Sequence, residues 1–451
     1  MTAIHWFRRD LRLADNPALL AAAAGGDVVG VFVLDDVLWR SAGAPRLAYL
    51  LRSLAALDAS MDGRLVVLRG DPVDEVPRLA RDVGAAAVHV AASHEPYGVR
   101  RDLAVEAALN AAGTALTRTG SAYAVDPGVL RTRTGSPFQV FTPFRTAWLE
   151  HGWPGPAGDA ARVRWADPGG GAALPAEPGL GGLRLPDAGE DAARRRWASA
   201  LDDVVPRYAD ERDRPDRDGT SRMSAALRWG EVHPRTLLAD LGRLEGDGPA
   251  MFRSELAWRE FHADVLHHHP SARTESLRPV APEDAWAGGD REHALLTAWQ
   301  DGRTGYPFVD AGMRQLRAEG WMHGRTRMVV ASFLVKDLHI RWQRGAEHFL
   351  RWLVDADLSQ NQLNWQWVAG TGRDAAPFFR VFNPVAQGQR FDPDGDYVRR
   401  WVPELRGVAG AAVHEPWRLP AGTVDYPERL VDHAVERRVA LEDNARVRAL
   451  R

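Results

Sequence analysis

The chain has 451 residues, of which 45% are hydrophobic, and its formal net charge is −3 at pH 7. This length predicts two or three domains with substantial cores and excludes a single small module. The complete lack of cysteine excludes disulfides, thiolate nucleophiles, Cys-ligated zinc and iron–sulfur clusters.

Strand-like runs alternate with amphipathic Ala/Leu-rich segments along residues 1–125. This alternation predicts an α/β domain built on a parallel, doubly wound sheet. After the first run, Asp15 and Asn16 are both N-cap candidates for a helix that has Pro17 in its first turn. The sequence contains neither GxGxxG nor GxxxxGK[ST], so it gives no indication of a nicotinamide or nucleoside triphosphate site. The five predicted strands are AIHWF (3–7), VVGVFVL (28–34), RLVVLRG (64–70), AAAVHVAA (85–92) and TALTRT (114–119).

A stretch rich in Gly, Pro and Ala follows the strands, and the pattern is helical almost throughout from residue 192. We predict an α/β domain over 1–130, an interdomain linker over 131–191 and an all-α domain over 192–451. The predicted helices lie near 192–210, 233–243, 251–268, 291–301, 308–320, 325–343, 346–354 and 426–448.

The N-terminal stretch MTAIHWFRRDLRL is charged early and lacks the apolar core of a signal peptide. No run of about 18 apolar residues follows it. We therefore expect a soluble, cytoplasmic protein that does not associate with a membrane, and we expect a monomer.

Two segments ahead of and within the predicted helices carry clustered polar side chains. DGTSRMS (218–224) groups hydroxyls and backbone donors before a helical run, which suits phosphate oxygens; taken alone, an ordinary capped helix start explains it better. ELAWREFH (255–262) places Glu255, Trp258, Arg259 and His262 on one helical face. That face indicates a polar site, although Trp258 in the core with an ion pair at its rim remains an alternative.

The segment DADLSQNQLNWQW (355–367) combines two acids, two asparagines and two indoles. Arg325 and Arg327 precede it near the start of a predicted helix, and a buried Arg needs a carboxylate partner such as Asp355 or Asp357. After it, the loop-rich and Arg-rich stretch 378–405 adds cations. Indoles beside Arg side chains can stack on bases and hold their phosphates, while most Trp residues are core residues.

Taken together, six motifs resemble the DNA photolyase/cryptochrome family, in that family's order and over nearly the whole chain. The resemblance implies an N-terminal α/β domain that can hold an antenna pigment and a helical domain that buries FAD. The motifs are HWFRRDLRLADNPAL, DGTSRMS, ELAWREF, GRTGYPFVDAGMRQLRAEGWMHGRTRM, DADLSQNQLNWQW and RVFNPVAQGQRFDPDGDYVRRWVPEL.

The resemblance also implies a set of FAD contacts. Arg327 is expected to pair with Asp355 near the flavin ring, and Asn361 falls where the family places a side chain beside the flavin N5 atom. Photolyases have Asn there, whereas plant cryptochromes have Asp and animal ones Cys. The implied FAD-binding residues are Tyr208, Thr220, Ser221, Arg222, Met223, Ser224, Arg327, Asp355, Ala356, Asp357 and Asn361.

Three indoles match the family's relay for electrons from the surface: Trp365 first, then Trp342, then Trp286. Trp286 is the least regular match, because its spacing to Trp299 is looser than in the family. The resemblance implies catalytic roles for the three relay indoles, for Glu255 and for Asn361. Glu255 is expected to stabilise the radical anion of the dimer. The implied reaction is the splitting of a cyclobutane pyrimidine dimer by one electron from photoexcited, reduced FAD.

Trp258 and Trp367 match residues that sandwich a pyrimidine dimer flipped out of DNA. Arginines around them are expected to hold the flanking phosphates, with an affinity that falls with salt. The implied DNA-binding residues are Arg212, Glu255, Trp258, Arg259, Arg325, Met328, Trp367, Arg380 and Gln387.

Two departures from the family pattern bear on substrate and antenna. Gly324 stands where cyclobutane-dimer photolyases have Asn, which removes one lesion contact worth about 1–3 kcal/mol. The (6-4) photolyases have His there and at Met328, so that class is disfavoured twice. Gly98 and Val99 stand where folate-binding members have an acid, which favours a deazaflavin antenna over methenyltetrahydrofolate, or none.

The main prediction is therefore a light-dependent DNA-repair enzyme, a deoxyribodipyrimidine photo-lyase that contains FAD. The first alternative is a blue-light cryptochrome photoreceptor with weak or no repair, which Gly324 supports and the absence of a long polar tail opposes. A second alternative is a flavoprotein with a different redox substrate, because a fold does not fix a function.

Overall fold

The computed structural model describes residues 1–159, 163–169, 172–373 and 379–449. Its N-terminal part is a five-stranded sheet in the order β3-β2-β1-β4-β5, and every neighbouring pair of strands is parallel. Each strand coincides with one of the five predicted runs. The strands are β1 (Thr2–Phe7), β2 (Asp27–Asp35), β3 (Val66–Gly70), β4 (Ala87–Ala92) and β5 (Ala115–Ser121).

Both faces of the sheet are covered, which explains why its central strands are hydrophobic at nearly every position. Phe7 packs in the core on one face, and Trp6 packs in the core on the other. Of the two cap candidates, Asn16 caps the first helix by accepting from the Leu19 N–H at 3.2 Å. The helices of this part are α1 (Pro17–Ala23), α2 (Asp36–Ser41), α3 (Ala44–Ser60), α4 (Pro72–Asp82) and α5 (Pro96–Ala111).

The strand order reverses between β1 and β4. In an open parallel sheet, the connections leave such neighbouring strands in opposite directions, which opens a crevice at their carboxyl ends. Arg8 and Arg9 directly follow β1, and Ser93 to Glu95 directly follow β4. These residues therefore stand at the edge of the sheet where a ligand is expected.

The remainder is helical, as predicted, and α6 lies inside the stretch predicted to be a linker. Phe144 of α6 packs on Phe261 of α11 at 5.2 Å, so this helix shares a core with the helical part. The helices are α6 (Phe141–His151), α7 (Glu190–Asp203), α8 (Tyr208–Glu211), α9 (Ser224–Trp229), α10 (Pro234–Leu241), α11 (Asp247–His268), α12 (Gly289–Gln300), α13 (Pro307–Glu319), α14 (Gly324–Lys336), α15 (Trp342–Trp352), α16 (Leu358–Ala369), α17 (Pro384–Phe391), α18 (Asp396–Trp401) and α19 (His433–Ala449).

The single helix predicted over 325–343 is wrong. The chain leaves α14 after Lys336 and starts α15 at Trp342, with His339 in the left-handed region at φ 53°. Buried Asp337 bonds His433 Nδ1 at 2.5 Å across this break, an interaction distant in sequence that periodicity does not reveal. The stretch 378–405, predicted as loop-rich, contains α17 and α18; Asn383 caps α17 and Pro384 begins it.

The sheet and the helical part meet closely at Gly230. Its backbone has φ +68°, and a Cβ atom there would lie 1.9 Å from the Arg9 carbonyl oxygen. The adjacent Trp229 carbonyl accepts from the Leu11 N–H at 3.2 Å. This contact sets the loop after β1 against the helical site described below. In the part of the chain that the structure describes, no helix is long and apolar enough to cross a membrane.

Candidate functional site

The helix α16 begins at a buried acid. Asp357 is the N-cap and accepts from the Gln360 N–H at 3.2 Å and from the Ser359 hydroxyl at 2.7 Å. Arg9, which follows β1, also bonds its carboxylate. Burial alone would raise the pKa of Asp357, but the guanidiniums of Arg9, Arg228 and Arg259 hold it well below its usual range. A buried carboxylate therefore stays ionised at neutral pH.

Asp355 is the second buried acid, and its partner is the one predicted. Arg327 Nη2 lies 2.8 Å from Asp355 Oδ2, and Arg327 Nε donates to the Met322 carbonyl at 2.8 Å. A two-nitrogen contact from Arg fixes both the position and the plane of a carboxylate. We call Arg327, Asp355, Asp357, Asn361 and Trp365 the helical site.

Asn361 and Trp365 lie one helical turn apart on α16, and both are buried. Asn361 Nδ2 donates to the Ala346 carbonyl of α15 at 3.0 Å. The Trp365 ring fits against Gly345, where a Cβ atom would lie 2.1 Å from Trp365 Cη2. Because glycine alone permits this approach, Gly345 allows α15 to pack directly on the indole.

The two other relay candidates are Trp342, the first residue of α15, and Trp286, which lies shortly before α12. Trp342 is one turn from Gly345 and donates from Nε1 to the Ser276 hydroxyl at 2.9 Å. Arg341, its neighbour, lies 5.4 Å over the Trp286 ring. Trp342 therefore lies on the helix that contacts Trp365, and Trp286 lies beside the residue that precedes Trp342.

Residues 220–224 lie just before α9. Arg222 adopts φ 50°, an uncommon conformation for a residue other than glycine, and its guanidinium lies 4.4 Å over the Trp321 ring. Met223, at the N-cap, makes no side-chain cap bond, so the alternative of an ordinary side-chain cap receives no support. Thr220 and Ser221 are half-buried, Met223 is buried and Ser224 is exposed.

His323 lies on the same side as Arg222 and was not singled out from the sequence. Its ring is 6.3 Å from Trp321, and its buried Nε2 has no partner among the described residues. Burial lowers the pKa of His323 to about 4, so this nitrogen belongs to a neutral ring. An unpaired buried polar atom points to a group bound beside it.

The polar face of α11 carries an acid and an indole. Glu255 bonds Arg212, and its side chain is 38% exposed. Desolvation by the surrounding residues raises the pKa of Glu255, and Arg212 opposes that rise. Trp258 stacks on Phe141 at 3.7 Å with the rings 8° from parallel. One indole face is thus covered by a residue of the supposed linker. The half-buried Tyr208 is the predicted cofactor residue on this side, and it packs on Phe252 at 4.9 Å.

The predicted phosphate contact of Arg259 is wrong. Its side chain points inward, where it donates to the Ala122 carbonyl at 3.0 Å and lies 4.8 Å over the Tyr123 ring. Sequence spacing placed Arg259 on the face of Glu255, but this long side chain reaches the junction with the sheet. It contributes instead to the positive charge around Asp357.

The remaining DNA-binding candidates lie on α14 or in segments after it. Arg325 pairs with Asp213 at 2.7 Å, and Arg380 is exposed. Gly324 opens α14, and a Cβ atom there would meet nothing within 4 Å, so it faces open space. Met328 and Trp367 are half-buried against the helical core, and Gln387 has a buried Oε1 without a partner among the described residues.

Comparison with known proteins agrees with this geometry. The family model for DNA photolyase matches residues 3–161, and the model for the FAD-binding domain of DNA photolyase matches residues 252–446. A deoxyribodipyrimidine photo-lyase of Streptomyces griseus is 44% identical, with 96% of this chain and 97% of that protein covered. The chain belongs to the DNA photolyase family.

Solved structures give the same result. A class III photolyase from Agrobacterium tumefaciens matches with TM-score 0.90 and 36% identity, covering 100% of this chain and 98% of that one. A Synechocystis cryptochrome has TM-score 0.88, 26% identity and coverage of 98% and 99%. An archaeal photolyase of Sulfolobus tokodaii, solved with two FAD molecules, has TM-score 0.85, 27% identity and coverage of 99% and 100%. The predicted family, fold class, light-dependent DNA repair, enzyme class and FAD cofactor are confirmed.

The helical site of this photolyase fits a flavin dinucleotide. Two carboxyl groups and an amide are available for the polar edge of a flavin, and Arg222 with the hydroxyls of 220–224 is proximal for phosphate. His323 Nε2 and Trp365 Nε1 are buried and lack partners among the described residues. Buried polar atoms of this kind are expected where a polar cofactor belongs.

A second cavity, of about 280 Å³, opens at the carboxyl ends of β1, β2 and β4. We call it the sheet-edge cavity; Trp6, Arg8, Trp39, Arg46, Tyr97 and Arg228 are among its lining residues. Arg8 pairs with Asp102 at 2.5 Å. Arg46 and Arg228 make no ion pair with any described residue, and Arg228 Nη1 is buried without a partner there. Burial lowers the pKa of Arg46 to about 10.

Arg9 joins the two sites. Its Nη1 lies 2.5 Å from Glu95 at the sheet-edge cavity, and its Nη2 bonds Asp357 of the helical site. Sequence reasoning did not single out Arg9, Arg46, Arg228, His323 or Phe141. Of these residues, only Arg9 could have been predicted from the sequence, because it directly follows β1 at the edge of the sheet where ligands bind.

Proposed function

We propose that this photolyase repairs cyclobutane pyrimidine dimers with the residues assigned below. The observation that supports this best is the face of α11, where an indole covered on one side by Phe141 lies on the same face as Glu255, which pairs with Arg212. Trp258 thus has one face left for a flat ring, and Trp367 is proposed to close the sandwich. Flipped bases are typically held between aromatic side chains in this way.

The helical site is proposed to hold FAD. Asp355 and Asp357 would accept from the flavin ring, Arg327 keeps Asp355 in place, and Asn361 would lie beside the ring. Tyr208, Thr220, Ser221, Arg222, Met223 and Ser224 would surround the phosphates and ribityl chain, and the Ala356 backbone completes the wall. When bound and reduced, FAD supplies the light-driven electron that splits the dimer.

Trp365, Trp342 and Trp286 are proposed to carry an electron inward from the surface. The contact of Trp365 with α15 at Gly345, and of Arg341 with Trp286, supports this order. Glu255 is proposed to hydrogen-bond the dimer and to stabilise negative charge on it. Its position on the same face of α11 as Trp258 supports this role.

The exposed Arg380 is proposed to bind DNA phosphate. Arg212 and Arg325 are also proposed to bind phosphate, which there must compete with Glu255 or Asp213. Met328 and Gln387 would line the lesion pocket beside Gly324. The monomeric state stays a prediction.

The sheet-edge cavity is proposed to hold an antenna chromophore with an anionic group. Two half-buried guanidiniums that make no ion pair with a described residue disfavour a neutral ligand, because like charges repel until an anion joins them. Trp6, Trp39 and Tyr97 supply flat surfaces for a ring system. A deazaflavin remains our expectation over methenyltetrahydrofolate.

Lesion-specific binding in the dark tests the proposed repair pocket. We expect the protein to bind an oligonucleotide with one thymine cyclobutane dimer more tightly than the undamaged strand, and Trp258→Ala to erase that preference. Asp247→Asn, at the exposed start of the same helix, is the matched control and should keep it. Equal binding of damaged and undamaged DNA by the unaltered protein would refute the proposal.

The cryptochrome alternative retains one observation in its favour, the open space at Gly324. A dimer bound beside Gly324 lacks one hydrogen bond, which weakens its binding to the protein. If the protein binds FAD and is photoreduced but does not recognise the dimer, the photoreceptor role becomes the better explanation.

A further inference from the structure

Lys336 is the one lysine in a chain whose other strong bases are all arginine. It ends α14 and is only 3% exposed, whereas lysine is rarely buried without a reason. Arginine differs from lysine in having a wide, planar, permanently charged head group. A single buried lysine among so many arginines indicates a site that needs a compact amine.

The Lys336 amine holds the chain at residues 379 and 380. Its Nζ donates to the Arg380 carbonyl and lies 4.6 Å over the Phe379 ring. One turn earlier on α14, the buried Ser332 hydroxyl accepts from the Phe382 N–H at 3.3 Å. Two side chains of α14 therefore fix the backbone on both sides of Arg380.

Two charged side chains, Asp337 and Arg380, influence the pKa of Lys336. Asp337, next in the chain, raises the pKa of Lys336 and is itself bonded to His433 of α19; Arg380 lowers it. Burial is the largest influence, and it lowers the pKa of Lys336 to about 7. The amine consequently has both protonation states available near neutral pH, and its charge depends on that of Arg380.

We propose that Lys336 is a positioning residue that holds the segment 379–383 against α14, so that the exposed Arg380 meets a DNA phosphate at a fixed place. This inference rests on the proposed phosphate contact of Arg380. Lys336 itself touches neither DNA nor cofactor. Its contribution is the ordering of Arg380, which lowers the entropy lost on binding.

A double-mutant cycle on dark binding to the dimer-containing oligonucleotide tests this coupling. Lys336→Met keeps the length of the side chain and removes the hydrogen bond; we expect about fivefold weaker binding. Arg380→Ala should also weaken binding, and Lys336→Met should then have no further effect. An equal loss from Lys336→Met in both backgrounds would overturn the proposal, because it would mark a general structural role.

The two failures are distinguishable. If Arg380→Ala leaves the affinity unchanged, the phosphate contact proposed for Arg380 is wrong, and the inference falls with it. If Arg380→Ala weakens binding but Lys336→Met does not, Lys336 alone is misassigned. The melting temperature of each variant is measured alongside.

A measurement on the unaltered protein covers the case in which Lys336→Met fails to fold. Isotope-labelled lysine gives a single side-chain signal, because the chain has one lysine. DNA phosphate at Arg380 should neutralise the charge that lowers the pKa of Lys336, so its titration midpoint should move upward from about 7. The Arg380→Ala protein should lack this movement. The same midpoint with and without saturating DNA in the unaltered protein would contradict the proposal.

Discussion

The helical site and the sheet-edge cavity differ in how their charged side chains are paired. In the helical site Asp355 pairs with Arg327 and Asp357 pairs with Arg9, so each acid has a partner within the protein itself. In the cavity, Arg46 and Arg228 have no acidic partner among the described residues. The first site is organised before its cofactor arrives, whereas the second needs an anion from its ligand.

The largest expected effect concerns the helical site alone. Trp365→Phe should abolish photoreduction of oxidised FAD, because phenylalanine does not give up an electron as indole does. Repair by chemically reduced protein should continue, and so should ligand binding at the cavity. Absorbance during blue illumination measures photoreduction. Trp352→Phe, at the far end of α15, is the control; loss of repair together with photoreduction in Trp365→Phe would refute the assigned role.

The second prediction concerns the cavity alone. Arg46→Met should weaken the binding of flavin mononucleotide about 30-fold, because it removes a charge-assisted contact. Riboflavin, which lacks the phosphate, should bind weakly to both proteins. Fluorescence titration measures these affinities.

The control for this prediction is Arg52→Met on the same helix, whose guanidinium already pairs with Glu177 at the surface. It should behave like the unaltered protein, and repair under direct excitation should be unchanged in both variants. Equal affinity of the unaltered protein for riboflavin and flavin mononucleotide would remove the contrast between the two sites.

A third prediction tests the polar face of α11. Glu255→Gln should slow dimer splitting about tenfold while FAD stays bound, because a neutral amide stabilises negative charge on the dimer less well than a carboxyl proton donor. Repair yield per absorbed photon is the measurement. An unchanged yield would show that Glu255 does not take part in the chemistry.

The smallest expected effect is at Gly324. Since a Cβ atom there meets open space, Gly324→Asn should fold normally. It should bind the dimer up to about fivefold more tightly through one added hydrogen bond. Gly407→Asn, also at an open position and on the chain between α18 and α19, is the matched control. A loss of stability in Gly324→Asn would mean that the space is not open.

Local sequence patterns predicted most of the sheet and the helical site. The five strands and the polar segment 355–367 each carry their signal within a few consecutive residues. Asp355 was matched to Arg327 by family resemblance, because buried charge needs a partner and the motif supplies one.

Other features depend on contacts between distant segments and were missed. Phe141 reaches Trp258 from the supposed linker, and Arg259 turns inward to the Ala122 carbonyl. The sheet-edge cavity combines residues of three strand ends with Arg228 of α9. No spacing in the sequence predicts these contacts, because they follow from how α9 and α11 pack on the sheet.

The most direct measurement is repair itself. Reduced protein is mixed with an oligonucleotide that carries one thymine cyclobutane dimer, and recovery of thymine absorbance under blue light is followed against a dark control. We predict recovery in the light and none in the dark. No recovery in protein that binds FAD and is photoreduced would contradict the repair function and favour a photoreceptor.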